Sequence, residues 1–123
     1  MSYLLDSHVL LWWLVQDPKL SLTHQKVLKD PLSEVYVSAI SIAELGLKIS
    51  LGKLQLPGDL SEQAQAEGFE LLSFSARHAN ALQYLPFHHR DPFDRMLISQ
   101  AMTDDLVFLT VDHDCKKYDI VTR

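Results

Sequence analysis

Short apolar or β-branched runs alternate along the chain with longer stretches of helical periodicity, and Asp-Pro and Gly signals punctuate them. Tyr3-Leu4-Leu5 reads as a short buried strand ending at Asp6, followed by an apolar helical stretch from Ser7 to Val15 that Asp17-Pro18 stops. A second short helix is expected over Ser21 to Lys29, with Asp30-Pro31 as its breaker, and Val35-Tyr36-Val37 has strand character. Ser38 or Ser41 can cap the next helix, about Ile40 to Leu51, which Gly52 ends. Beyond the Pro57-Gly58 turn come a helix near Leu60 to Glu67, a strand at Glu70 to Ser73, and a helix from Ser75 to about Tyr84. The loop Leu85 to Arg90 leads to Asp91-Pro92 and a helix to about Met102; Val107 to Thr110 is a fourth strand and Ile120-Val121 a short fifth.

Strands separated by helices, each too far apart for hairpins, imply parallel pairing through crossovers. The expectation is an α/β sandwich with a central parallel sheet, whose active crevice lies at the carboxyl ends of the strands. Two acids stand where that rule places them: Asp6 directly follows the first strand, and Asp112 comes soon after the fourth.

Composition changes this picture little. With 123 residues, 47% apolar and 22% charged, the chain is expected to be a single globular domain over 1–123, without repeats or linkers. No apolar run approaches the ~20 residues that span a bilayer, and no basic stretch near Met1 suggests a secretory signal. The one cysteine, Cys115, cannot form an intramolecular disulfide, which fits a reducing, cytoplasmic setting. The net charge of −5, from 16 acids against 11 bases, argues at first against a nucleic-acid partner. Setting four acids aside as metal ligands (16 − 4 = 12, against 11 bases) leaves the rest of the surface near neutral and removes the objection.

Each candidate acid has an ordinary reading beside a functional one. Asp6 suits an N-cap. Glu44 shares a helix face with Ala43, Leu47 and Leu51, the stripe expected to meet the core; a charge there is costly unless it pairs with Lys48 at i+4 or is coordinated. The opposite stripe, Ile42, Leu45 and Ile49, is also apolar and calls for a second partner that a monomer would not provide. Asp91 suits an N-cap with Pro92 at the first helical position, whereas Asp94 leans toward Ile98 and Ala101, a poor place for a purely solvated acid. Asp112 and Asp114 flank His113 and suit turn or cap roles, with Asp112 nearer the sheet edge. Together, Asp6, Glu44, Asp94 and Asp112 can converge on one crevice. Crowded carboxylates stay ionised only with a cation, and an all-oxygen donor set suits Mg²⁺ or Mn²⁺. The lack of Cys–His ligand spacing disfavours zinc.

Four stretches also resemble the motifs of PIN-domain proteins, in that family's order and across essentially the whole chain. They are Leu4-Leu5-Asp6-Ser7-His8-Val9-Leu10-Leu11-Trp12, Ser38-Ala39-Ile40-Ser41-Ile42-Ala43-Glu44-Leu45, His89-Arg90-Asp91-Pro92-Phe93-Asp94-Arg95-Met96-Leu97-Ile98, and Leu109-Thr110-Val111-Asp112. The Asp91-Pro92-Phe93-Asp94-Arg95 run is especially similar to VapC-type toxins. The resemblance implies a three-layer α/β/α sandwich and Mg²⁺- or Mn²⁺-dependent endoribonuclease activity. By match, Asp6, Glu44 and Asp94 fill the three most typical acidic positions and Asp112 the less uniform fourth, with Asp114 in reserve; Ser7 and Thr110 match supporting hydroxyls. It further implies RNA as substrate, a homodimer, and inhibition by a cognate antitoxin of a type II toxin–antitoxin pair.

Rival classes fit less well. A catalytically silent PIN scaffold that binds antitoxin or RNA would not need the full acid set. A phosphoacceptor receiver wants adjacent acids after the first strand, and a haloacid-dehalogenase-like phosphatase wants Asp-x-Asp, where position 8 is His. Lys48, Arg90, Arg95, Lys116 and Lys117 are candidate phosphate contacts, and Trp12 and Trp13 read as core or interface aromatics. His88-His89 lie in a loop without a third ligand, which leaves them at most a phosphate contact, and Cys115 has no evident base partner.

Overall fold

In the computed structural model, which describes residues 1–123, four strands form one sheet: β1 (Ser2–Leu5), β2 (Glu34–Ser38), β3 (Glu70–Leu72) and β4 (Val107–Leu109). Six helices connect them: α1 (Ser7–Leu14), α2 (Leu22–Lys29), α3 (Ala39–Ser50), α4 (Leu60–Ala66), α5 (Ala76–Ala81) and α6 (Pro92–Thr103). Each begins at a Ser or Asp whose side chain accepts a backbone N–H of the first turn: Asp6, Ser21, Ser38, Asp59, Ser75 and Asp91 in order. These caps satisfy N–H groups that a helix start leaves without intrahelical partners. No helix is long and apolar enough to cross a membrane.

The strand order is β3-β2-β1-β4 and every pairing is parallel, with Leu4 opposite Tyr36 on one side and Phe108 on the other. The central strand reads as a continuous apolar run because both its faces are covered. Leu5, Val37 and Leu109 point into a core shared with α1, α2, α3 and α4. Leu4 and Phe108 point into a second core with Leu97, Ile98 and Ala101 of α6. The molecule is thus a three-layer α/β/α sandwich around a central parallel sheet. Gln100, wholly buried on α6, ties the layers across the strand ends: its amide oxygen accepts from Ser38 Oγ and its amide nitrogen donates to Ser73 O at 3.2 Å.

The structure corrects the reading of several elements. The expected fifth strand is a single parallel bridge between Phe108 and Thr122, flanked by Phe108 N–H to Val121 O at 2.9 Å and Arg123 N–H to Phe108 O at 3.0 Å. The helix expected to reach Tyr84 ends at Ala81 and tightens into a 3₁₀ turn over Leu82–Tyr84. A 3₁₀ helix at His113–Lys117 was not anticipated. The largest change concerns α3, whose two apolar stripes exchange places. Leu45 is buried and Ile42 and Ile49 pack on the first core, whereas Leu47 is 50% and Leu51 60% exposed. Helical periodicity tells which residues share a face but not which of two similar faces meets the sheet. Here the Ser38 cap and the exit from β2 fix the rotation.

Leu45→Ala should therefore cost about 2–5 kcal/mol in urea denaturation and Leu47→Ala under about 1 kcal/mol. Equal costs would restore the original facing.

Candidate metal centre

The four acids come from four different places at the carboxyl edge of the sheet. Asp6 ends β1, and its N–H continues the ladder to Leu109 O of β4 at 3.0 Å. One carboxylate oxygen caps α1 by accepting Val9 N–H at 2.8 Å; the other accepts Val111 N–H at 3.2 Å. Only 2% exposed, the Asp6 carboxyl is raised above its ordinary range by burial, against hydrogen bonds from the Thr110 hydroxyl and these two amides. The capping reading and the edge reading of Asp6 thus both describe it, each using a different oxygen.

Glu44 lies on α3 beside the buried Ser41 and Leu45 and is itself 6% exposed. Ser7 Oγ donates to Glu44 Oε1 at 2.7 Å and lies 3.2 Å from Ser41 Oγ, while Lys48 Nζ stands 3.7 Å from Oε2. The i,i+4 pair with Lys48 is therefore present. It is long and half solvent-facing, and it does not account for the buried oxygen that Ser7 holds.

Asp94 sits in the first turn of α6, placed there by the Asp91 cap, which accepts Phe93 N–H at 2.8 Å. Its carboxyl is pushed up to about 7 by burial first and then by the charge of Asp91, with Glu44 and Asp6 adding to the push; His89 works the other way. Two chain-distant acids, Glu44 and Asp6, thus act on Asp94 together with its neighbour Asp91. Asp112 caps the 3₁₀ helix His113–Lys117, accepting Asp114 N–H at 2.9 Å, and its own N–H donates to Thr110 Oγ1 at 3.0 Å. Asp114 turns away: Lys117 Nζ lies 2.9 Å from its Oδ1, and that contact holds its carboxyl below the usual range.

The sequence offers His89 no third ligand in its loop, but the fold brings its Nε2 to 2.6 Å from Asp112 Oδ2 and 3.2 Å from Asp94 Oδ2. Ligand atoms of His89, Asp94, Asp112 and Cys115 all fall within 4.8 Å of one another. Burial lowers the imidazole's affinity for a second proton, but the hydrogen bond to Asp112 and the charges of Asp112, Asp94 and Asp91 outweigh it and leave the group raised. Cys115 is buried at the floor, its thiol pushed up to about 12 by burial and by Asp94 and Asp112, so it stays a thiol rather than a nucleophile. The one sequence signal for His89 is its place two residues before the Asp91 cap, whose N–H donates to His89 Nδ1 at 2.9 Å. Tyr118, which accepts the His88 and His89 amides at 3.1 and 3.0 Å, carries no local signal at all.

Of the basic candidates, Arg95 is occupied internally: its Nη1 donates to Pro86 O and Tyr118 Oη, both at 3.1 Å, and its guanidinium lies 4.8 Å over the Phe87 ring. Lys48 and Lys117 face Glu44 and Asp114. Arg90 and Lys116 remain exposed. The carboxylate oxygens of Asp94 and Asp112 lie close enough to serve one hard divalent cation, and such an ion would offset the cost of burying Asp94 beside other acids; Asp6 and Glu44 stand outside that 4.8 Å group.

The fold recurs in solved structures. The chain superposes on a chain of VapBC2 from Rickettsia felis, crystallised with a promoter DNA fragment, with a TM-score of 0.71 at 18% identity, covering 100% of this chain and 98% of the other. DNA-bound VapBC from Salmonella typhimurium gives a TM-score of 0.68 at 17% identity, covering 100% and 97%. FitAcB from Neisseria gonorrhoeae gives 0.63 at 21%, covering 98% and 95%. At such identities the likeness is one of fold. No curated protein matches in sequence. The PIN domain model, however, matches residues 3–121, a span that holds all four acids and all of the sheet but Ser2, and the chain belongs to the PIN domain family.

Proposed function

We propose that this chain is a divalent-metal-dependent endoribonuclease of the VapC type, the toxin half of a toxin–antitoxin pair acting in the cytoplasm. The observation that carries the chemistry is the gathering of Asp94 and Asp112 with His89, their ligand atoms within 4.8 Å of one another, while Asp6 and Glu44 add negative charge that acts on Asp94. Asp6, Asp94 and Asp112 would hold Mg²⁺ or Mn²⁺, directly or through water; Glu44 would complete the site, orient the attacking water, or help hold a second ion. When bound, the cation lowers the pKa of a coordinated water and offsets charge developing on the phosphate. Ser7 fixes Glu44 by donating to Oε1, and Thr110 fixes both Asp6 and the Asp112 backbone. Exposed Arg90 and Lys116 are the candidate cations for the RNA backbone, and the acids of the site would repel RNA until a metal binds. The antitoxin partner is supported by the VapBC and FitAB complexes among the fold's neighbours. The half-exposed Leu47 and Leu51 of α3 support a homodimer, with the stripe opposite to the one expected as its surface.

Asp6→Asn and Asp94→Asn should each lower Mn²⁺-dependent cleavage of mixed RNA by about 100-fold or more while leaving circular dichroism unchanged. Undiminished cleavage would sink the assignment. Because bound carboxylates must be ionised, activity at limiting Mn²⁺ should fall about tenfold per pH unit below pH 7, where Asp94 takes up its proton. A flat profile from pH 5 to 8 contradicts this. Linkage sets the sign for metal-free stability: a folded-state value near 7 against an ordinary 3.8 means the stability linked to Asp94 is full below about pH 4 and lost as pH rises through 7. Metal-free Asp94→Asn should accordingly melt above wild type at pH 8, with the gap closing toward pH 4.

A further inference from the structure

We infer that His89 is a positioning residue of the carboxylate site: its Nε2–H donates to one oxygen of Asp112 and stands beside one of Asp94, so that both acids face a common divalent cation, and the Tyr118 hydroxyl holds the His89 backbone in place. The inference rests on the cation reading above.

Proximity alone would make His89 a metal ligand, since its Nε2 stands 2.6 Å from Asp112 Oδ2 and 3.2 Å from Asp94 Oδ2. The other ring nitrogen decides against that. Nδ1 accepts the Asp91 backbone N–H at 2.9 Å, so its lone pair is engaged and Nε2 carries a hydrogen. A ligating Nε2 would need a bare lone pair and a proton on Nδ1, and that proton would face the Asp91 N–H. His89 therefore donates to Asp112 instead of competing with the acids for the cation. Asp112 is then fixed at both ends, with Oδ1 accepting Asp114 N–H at 2.9 Å and Oδ2 accepting His89. A carboxylate oxygen that accepts one hydrogen bond keeps a lone pair for a cation.

The His89 ring is held although it stands on a loop. Its side chain is 11% exposed, and the Tyr118 hydroxyl, itself buried, accepts both the His88 and His89 amides. Arg95 donates to the same oxygen and to Pro86 O, which ties the loop's entrance to α6. Groups that orient metal-binding carboxylates through such hydrogen bonds typically govern affinity by 10–100-fold.

The test is Mn²⁺ binding to the full chain, read by calorimetry and by the electron paramagnetic resonance of free Mn²⁺. His89→Ala should weaken binding about tenfold or more, while His89→Gln, whose amide restores an N–H donor, should stay within about threefold of wild type. Tyr118→Phe should weaken binding in the same direction, although its oxygen touches no carboxylate. In wild type, imidazole ¹⁵N spectra should keep the hydrogen on His89 Nε2 at saturating Mg²⁺, a readout that needs no variant to fold. Unchanged or tighter binding by His89→Ala, or loss of the Nε2 hydrogen on Mg²⁺ addition, overturns the inference. Asp94→Asn separates the two levels. If it loses Mn²⁺ while His89→Ala does not, the clamp alone is wrong; if wild type and Asp94→Asn bind alike, the cation site falls and the clamp with it.

Discussion

Like charges gathered at one end of a parallel sheet are the constraint to which the rest of the structure answers. Because β1 and β4 are neighbours, Asp6 at the end of one strand meets Thr110 to Asp112 after the other. The Asp91 cap sets the first turn of α6 so that Asp94 enters the same space, and the rotation of α3 brings Glu44 from a third direction. Burial and these neighbouring charges together push the Asp94 carboxyl up to about 7. Hydrogen-bond donors stand against these carboxylates: a serine hydroxyl on Glu44, a threonine hydroxyl and two amides on Asp6, and an imidazole on Asp112.

Two of these acids, Asp6 and Asp112, also serve as helix caps, and this double use fixes their place at the sheet edge. Asp6 and Asp112 each spend one oxygen on a local N–H and turn the other toward the crevice or its lining. Capping fixes a carboxylate's position at little cost, since the helix needs the acceptor in any case. Gln100 does similar work between layers, joining α6 to the ends of β2 and β3 and so holding Asp94 in register with the sheet edge.

Most of the architecture was legible because it depends on local pattern: apolar triplets for strands, Ser and Asp caps for helices, and Asp-Pro breaks between them. Helix limits failed where the backbone tightened, at Leu82–Tyr84. The facing of α3 failed because two apolar stripes compete and only the tertiary packing of Leu45 decides between them. Asp6, Glu44, Asp94 and Asp112 stand out in the sequence as candidates because each departs from its surroundings by sitting at a strand end or among apolar neighbours. His89 could not, since its role depends on partners 5 and 23 residues away (94 − 89 and 112 − 89) that only the fold brings to one nitrogen. Arg95 misled for the mirror-image reason: an apparently free cation is consumed by Pro86, Tyr118 and Phe87.

The central claim is that one cation relieves the repulsion among these acids. Anomalous diffraction at the manganese edge from crystals soaked in Mn²⁺ tests it most directly. The account predicts a peak within coordination distance of Asp94, Asp112 and Asp6, with Glu44 beside it. Ordered carboxylates with no peak among them, or manganese bound only elsewhere on the surface, would contradict it.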